Sequence, residues 1–423
     1  MRRPTARGAA FGYACALVTV LWLFLPYGGY ERMLEGKYAC FALLTAGYLA
    51  ATLRADRREL RRAGGWTAPD AAAAAYLLIS ALSALCSPYG AQTLLGGTRR
   101  DGLVTLALYV LMFALLSRYL RPDRRLVYLT ALSATLCDAL VLLQLHGHNP
   151  FWLYPAGLNY YDGDAAYAGF YAGLSGNIGF TAFLLAIAVC VLTAAMLRLR
   201  SWALAPTVAL TLWVLARLGV AAAWVGIACA AVWGLALLLP RRRMLLLSAA
   251  LTVGALVFLL CCRGGSQTLT EASLLLRGKA DGSFGSGRLA IWRDCLYLVR
   301  ERPLLGGGPD TLWLRGLEPL AWVQGGSVIP SDITAAHNEY LNILVNQGAV
   351  ALAAYLALLG TALVRCFRRA SDARYALCGV GLLCYAAMAL FSISTCITAP
   401  YVWLLLALCN PHEKNEKTLL KNG

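Results

Sequence analysis

Apolar runs of roughly 20 residues, each the length that crosses a bilayer as a helix, recur along the whole chain between short Arg-rich or Gly-rich pieces. That recurrence constrains the fold more than any other feature. They lie near residues 9–26, 37–53, 68–86, 103–120, 126–146, 175–197, 202–216, 219–239, 244–262, 349–364, 375–391 and 398–409. Hydrocarbon offers no partner to a backbone N–H or C=O, so only helices or closed barrels cross it. The pattern therefore predicts an all-α integral membrane protein with about twelve transmembrane helices. Hydrophobic residues at 60% and charged residues at 14% place the chain far outside the range of soluble domains. The apolar runs divide it into an N-terminal bundle (1–262), a large polar segment (263–348), a C-terminal group of spans (349–410) and a short tail (411–423).

A net charge of +16 would suggest nucleic acid in a soluble protein. Here its distribution argues for topology instead. With Arg2, Arg3 and Arg7 in the cytoplasm, alternate loops collect Arg54, Arg57, Arg58, Arg61 and Arg62, then Arg118, Arg121, Arg124 and Arg125, then Arg198 and Arg200. Arg241–Arg243, then Arg365, Arg368, Arg369 and Arg374, and finally Lys414, Lys417 and Lys421 continue the series. The positive-inside rule then predicts an even number of spans with both termini cytoplasmic. No nucleic-acid partner is expected. The first apolar stretch has no small-residue cleavage site before Pro26, which predicts a retained span and not a signal peptide.

Fourteen cysteines do not make a disulfide framework, because most fall inside apolar runs and none forms a CxxC pair. His146-Gly-His148 supplies too few ligands for a metal. Asp138 is the only acid well inside a span, and a packed or capped carboxyl explains it better than a proton relay. The polar chemistry is concentrated in three segments assigned to the outer side, 87–101, 146–174 and 263–348. Within the longest, Leu289–Arg300 has helical apolar periodicity and stops at Pro303 and Gly306–Gly308, which predicts an amphipathic helix near the membrane surface.

His337, in Ala-His-Asn-Glu-Tyr-Leu-Asn near the start of a helix leading into a span, has an ordinary pKa suited to accepting a proton from a hydroxyl. An interfacial histidine bonded to a loop carbonyl is the plainer alternative. Arg288 after Gly-Ser-Gly, Arg293, Arg99 and Arg100 within Gly-Gly-Thr-Arg-Arg-Asp-Gly, and Arg217 are outer cations that the charge rule leaves unexplained. Their planar forks match phosphate oxygens, so several converging would hold a diphosphate leaving group. Singly, each could equally touch lipid headgroups or pair with Asp101 or Asp294. Tyr160, Tyr161, Asp162, Asp164 and Tyr167 read as a loop lining a sugar substrate, with a solvated turn as the alternative. Glu339 and Asp332 are nearby carboxylates that could orient His337 or contact sugar hydroxyls, although Glu339 reads better as an ordinary acid in a helix's first turn.

Four segments resemble the O-antigen ligase and O-antigen polymerase group of bacterial membrane glycosyltransferases: Gly97–Gly102, Gly287–Trp292 with Pro303–Pro309, His337–Leu341, and Thr398–Trp403. The resemblance implies a twelve-span, GT-C-like bundle in the bacterial cytoplasmic membrane with a large extracytoplasmic loop. It implies metal-independent, inverting transfer of a glycan from undecaprenyl diphosphate to a glycan, lipid or protein hydroxyl, without a cofactor. Arg288 would bind the diphosphate and His337 would act as base or orient the acceptor. Arg99, Arg100, Arg217, Arg293, Asn338, Glu339 and Tyr340 would contact donor or glycan. Arg217 departs from the family pattern in having Ala216 where a serine is usual. A polymerase of lipid-linked repeats shares this chemistry, with the motifs closer to the ligase branch. A flippase should instead place charges along a path through the spans, where this sequence has few.

Overall fold

The computed structural model describes residues 5–55, 65–162, 169–239, 241–262, 267–279, 284–324 and 327–412. Arg57, Arg58, Arg61, Arg62, Asp164, Tyr167 and Lys414–Lys421 of the sequence argument lie outside the described residues, as do Arg2 and Arg3. In chain order the helices are α1 (Ala6–Val18), α2 (Val20–Leu23), α3 (Met33–Leu53), α4 (Ala68–Leu85), α5 (Gln92–Leu95), α6 (Leu103–Tyr119), α7 (Arg124–Leu145) and α8 (Ile178–Leu199). There follow α9 (Ala205–Leu218), α10 (Ala221–Leu238), α11 (Arg242–Cys261), α12 (Gln267–Leu276), α13 (Phe284–Glu301), α14 (Glu339–Arg368), α15 (Ala373–Met388) and α16 (Ala399–Leu408).

Each of the twelve apolar runs falls on helix. Seven helical stretches among the described residues have the length and composition to cross a membrane, and four shorter apolar helices accompany them. Their ends follow local chemistry. Thr67 and Asp70 form a reciprocal capping box at α4, and Asp123, Asn177, Asn338 and Asp372 cap α7, α8, α14 and α15. A purely helical 263–348 segment is not what forms. Leu320–Gln324 and Ser327–Ser331 pair as an antiparallel hairpin, β1 and β2. The amphipathic helix is present as α13.

The first apolar run breaks at Thr19 and ends at Leu23, and Lys37 explains how that end is tolerated. Its fully buried ammonium donates to the Leu21 carbonyl at 2.7 Å and the Trp22 carbonyl at 2.8 Å, two acceptors left orphaned by the end of the helix. α14 breaks as well. Gly348 has φ +87, and a Cβ there would sit 2.2 Å from the Leu304 carbonyl oxygen. Around it, Ala349 N–H donates to Pro303 O at 2.8 Å and Gly308 N–H to Asn346 O at 2.7 Å, so the 303–311 turn takes over bonding that the kinked helix gives up.

Contacts between segments far apart in sequence separate the bundle into two ends. At one, Asp70 meets Arg118 at 3.6 Å and His412 at 2.9 Å. There too Arg198 donates to Ala370 and Ser371 carbonyls and Arg365 to Cys409 O. At the other end, the 86–102 and 303–311 segments lace together. Ser83 donates to Leu305 O, Ser87 to Gly307 O at 2.5 Å and Arg302 to Cys86 O at 2.8 Å. Among the described residues, the loop ends at Arg118, Arg198 and 365–371 thus meet at one end, and the 86–102 and 303–311 turns at the other. Between them the apolar core is continuous, and Asp138 is buried within it with one oxygen accepting from Thr211 at 2.6 Å, a packed carboxyl as expected.

Candidate functional site

His337 stands two residues before α14, held on both sides. Asn338 caps the helix by accepting from Leu341 N–H at 3.1 Å. Ala336 accepts from the Trp292 indole at 2.9 Å and donates its N–H to Asn342 Oδ1 at 3.2 Å. The anchors hold His337 in the left-handed region at φ 49, where a non-glycine residue costs about 1–3 kcal/mol. α13, through Trp292, and the first turn of α14 therefore fix where the imidazole begins.

Arg99 arrives from the opposite half of the sequence. The Gly96–Asp101 turn is gathered by Asp310: Gly97 N–H and Asp101 N–H both donate to its Oδ2, at 2.8 and 3.2 Å. Arg99 Nε donates to Thr334 Oγ1 at 3.1 Å, three residues before His337. Asp101 accepts a long bond of 3.4 Å from Tyr109. Arg288, early in α13, donates Nη1 to Gly285 O at 2.5 Å, while its buried Nε has no hydrogen-bond partner among the described residues.

These groups share one electrostatic neighbourhood. Burial first, and then the positive charges of Arg99 and Arg288, push His337 down to about 3. Burial lowers Arg99 as well, opposed by Asp310, Asp101 and Glu339. Asp101 is held well above the usual carboxylate range by burial and by the negative charges of Asp310 and Glu339, against the pull of Tyr109 and Arg99. Asp310 is raised by burial, offset in part by the N–H groups of Gly97 and Asp101 and by Arg99. Two arginines acting on a neutral imidazole, with three carboxyls around one of them, make a pocket of charge suited to an anion beside a proton acceptor.

His337, Arg288 and Arg99 are thus brought together, but the other residues of the sequence argument divide. Asn338 serves as a helix cap. Tyr340 donates its hydroxyl to Ala386 O at 2.9 Å and joins α14 to α15. Glu339 is not the ordinary first-turn acid that was expected: it is buried and accepts from Ser394 N–H at 2.8 Å and Ser394 Oγ at 2.7 Å, tying the 389–398 segment to the start of α14. Arg100 turns away to Glu35 at 3.3 Å. Arg293, with 79% of its side chain exposed, meets only Asp294 among the described residues, at 3.3 Å. Arg217 is exposed in the last turn of α9, and among the described residues nothing joins it to this cluster. Asp162 accepts from Asn159 within its own loop.

Asp310, Thr334 and Ser394 went unnoticed in sequence. So did Arg315, which donates to Val345 O at 2.8 Å and lies so close over Gly307 that a Cβ there would have to displace its guanidinium. The one available signal was the Gly306–Pro309 turn, which marks a tight backbone crossing and so points to its next residue, Asp310.

Residues 206–356 match the family model described as O-antigen ligase. The matched stretch runs from α9 into α14 and contains Arg217, Arg288, Asp310, Thr334 and His337, but not Arg99. No curated protein matches the chain.

Proposed function

From an O-antigen ligase domain set in a bundle of apolar helices, we propose that the chain transfers a glycan from undecaprenyl diphosphate to an acceptor hydroxyl at the outer face of a bacterial cytoplasmic membrane. The observation that carries this reading is that Arg99 and Arg288, from opposite halves of the sequence, both act on His337. In this scheme the acceptor oxygen attacks the anomeric carbon, the bond from that carbon to the diphosphate breaks with its electron pair leaving on the phosphate oxygen, and His337 takes the hydroxyl proton. Arginine forks stabilise the departing charge as a metal would in other transferases. Attack opposite the leaving group gives inversion.

The low basicity of His337 fits this order of events. Without donor, burial first and then the two cations hold the imidazole neutral. A bound diphosphate offsets the cations' share, so basicity rises when a leaving group is in place. In this reading, twelve spans with cytoplasmic termini would put the whole cluster outside, on the side where lipid-linked glycans are transferred. Residues 1–262 and 349–410 form the membrane frame in this reading, and 263–348 supplies the chemistry.

The test is reconstitution of wild-type and His337→Ala proteins with an undecaprenyl-diphosphate oligosaccharide and a membrane extract. Glycan moved to a new acceptor by wild type alone supports the ligase. Lengthening of the lipid-linked glycan would make the chain a polymerase, and undiminished transfer by His337→Ala would remove the proposed base.

A further inference from the structure

We infer that Asp310 and Thr334 are positioning residues for Arg99, the first fixing the backbone that carries it and the second aiming its guanidinium. The inference rests on the donor reading above. Arg99 sits in a turn between α5 and α6 that has no helix or strand of its own to hold it. Its anchor comes from more than 200 residues later: one oxygen of Asp310 takes the N–H of both Gly97 and Asp101. Asp310 is itself fixed, with φ 51, its side chain buried, and its carbonyl accepting from the Trp313 indole at 3.0 Å. The turn fits this carboxylate closely. A Cβ on Gly96 would lie 2.3 Å from Asp310 Oδ2, and one on Gly97 would lie 2.4 Å from Trp313 Nε1.

The arrangement solves a particular problem. A guanidinium removed from water is costly unless compensated, yet one locked into an ion pair is unavailable to a ligand. Asp310, Asp101 and Glu339 surround Arg99 at electrostatic range. Nevertheless Oδ2 of Asp310 is occupied by backbone N–H groups, and both oxygens of Glu339 are occupied by Ser394. Thr334 takes only Nε. Among the described residues the two terminal nitrogens of Arg99 hold no hydrogen bond or ion pair, which leaves the fork open to two phosphate oxygens.

The experiment uses full-length protein in nanodiscs and titrates an undecaprenyl-diphosphate oligosaccharide, with retention of radiolabelled undecaprenyl diphosphate as a second readout. Asp310→Asn and Thr334→Val are each made alone and together with Arg99→Ala. Loss of one well-aimed charged hydrogen bond predicts a donor KM about tenfold higher for Asp310→Asn, a smaller rise for Thr334→Val, and little change in kcat for either. In the Arg99→Ala background both substitutions should be silent. A wild-type KM in both single variants, or effects that multiply with Arg99→Ala, overturns the inference. Elution and melting temperature report folding. Should Asp310→Asn fail to fold, Asp310→Glu replaces it under the same non-additivity criterion. Wild-type protein that neither retains the diphosphate nor transfers glycan would instead sink the donor reading.

Discussion

Each end of the bundle is organised by a buried aspartate, and the two are used in opposite ways. Asp70 lies in the first turn of a regular helix and is surrounded by Thr67, Arg118, Asn410 and His412, so charge meets charge directly and the contacts close the structure. Asp310 sits in a left-handed turn and takes backbone N–H groups, while Arg99 keeps its terminal nitrogens without a hydrogen bond among the described residues. At one end cations are consumed by the fold. At the other they are held in place and left available.

Several substitutions sharpen or break that contrast. The largest effect is expected at the open end: His337→Ala or Arg288→Ala should lower transfer at least a hundredfold, with the melting temperature in detergent within a few degrees of wild type. Activity that survives both would mean that the cations there are structural after all. Next, Asp70→Ala leaves Arg118 without its carboxylate and should cost about 2–4 kcal/mol, read as a lower melting temperature, with activity per folded molecule within about twofold. If turnover falls before stability does, the two ends are coupled.

A third expectation concerns pH. His337 lies below its usual value in the free protein, so it is already neutral at pH 6 and the acid limb of kcat/KM should lack the usual inflection near 6.5. Because bound diphosphate offsets the two arginines, the limb of kcat should lie at higher pH than that of kcat/KM. The opposite order would remove the coupling between donor and base. The smallest effects belong to Arg293→Ala, which loses only an exposed pair worth less than about 1 kcal/mol and should change donor KM by under twofold.

The helices were legible because lipid-length apolar runs allow few alternatives, and His337 with Arg288 because their motifs are local. What stayed hidden depends on distance along the chain. Nothing near Arg99 announces Asp310 or Thr334, since the turn and its anchors meet only after α4, α6 and α14 have packed. Glu339 has the position of a helix-start acid, and only the return of the chain at Ser394 shows its second use. The hairpin's mark in the sequence is Gly325-Gly326 between two short apolar runs, Leu320–Val323 and Val328–Ile329. The break at Gly348 was missed because its cause, the Leu304 carbonyl, belongs to another segment.

That break also works as a depth gauge. Beyond it, Ala349–Arg368 runs about 30 Å as helix, which already fills the hydrocarbon of a bilayer. If that stretch is the span, Glu339–Gln347 would have no room there and would lie in the headgroup layer, with His337 at its far end. A lipid-borne diphosphate travels in that same layer. A donor diffusing laterally would then meet the imidazole at its own level, without lifting its tail from the membrane, while the sugar chain extends into water.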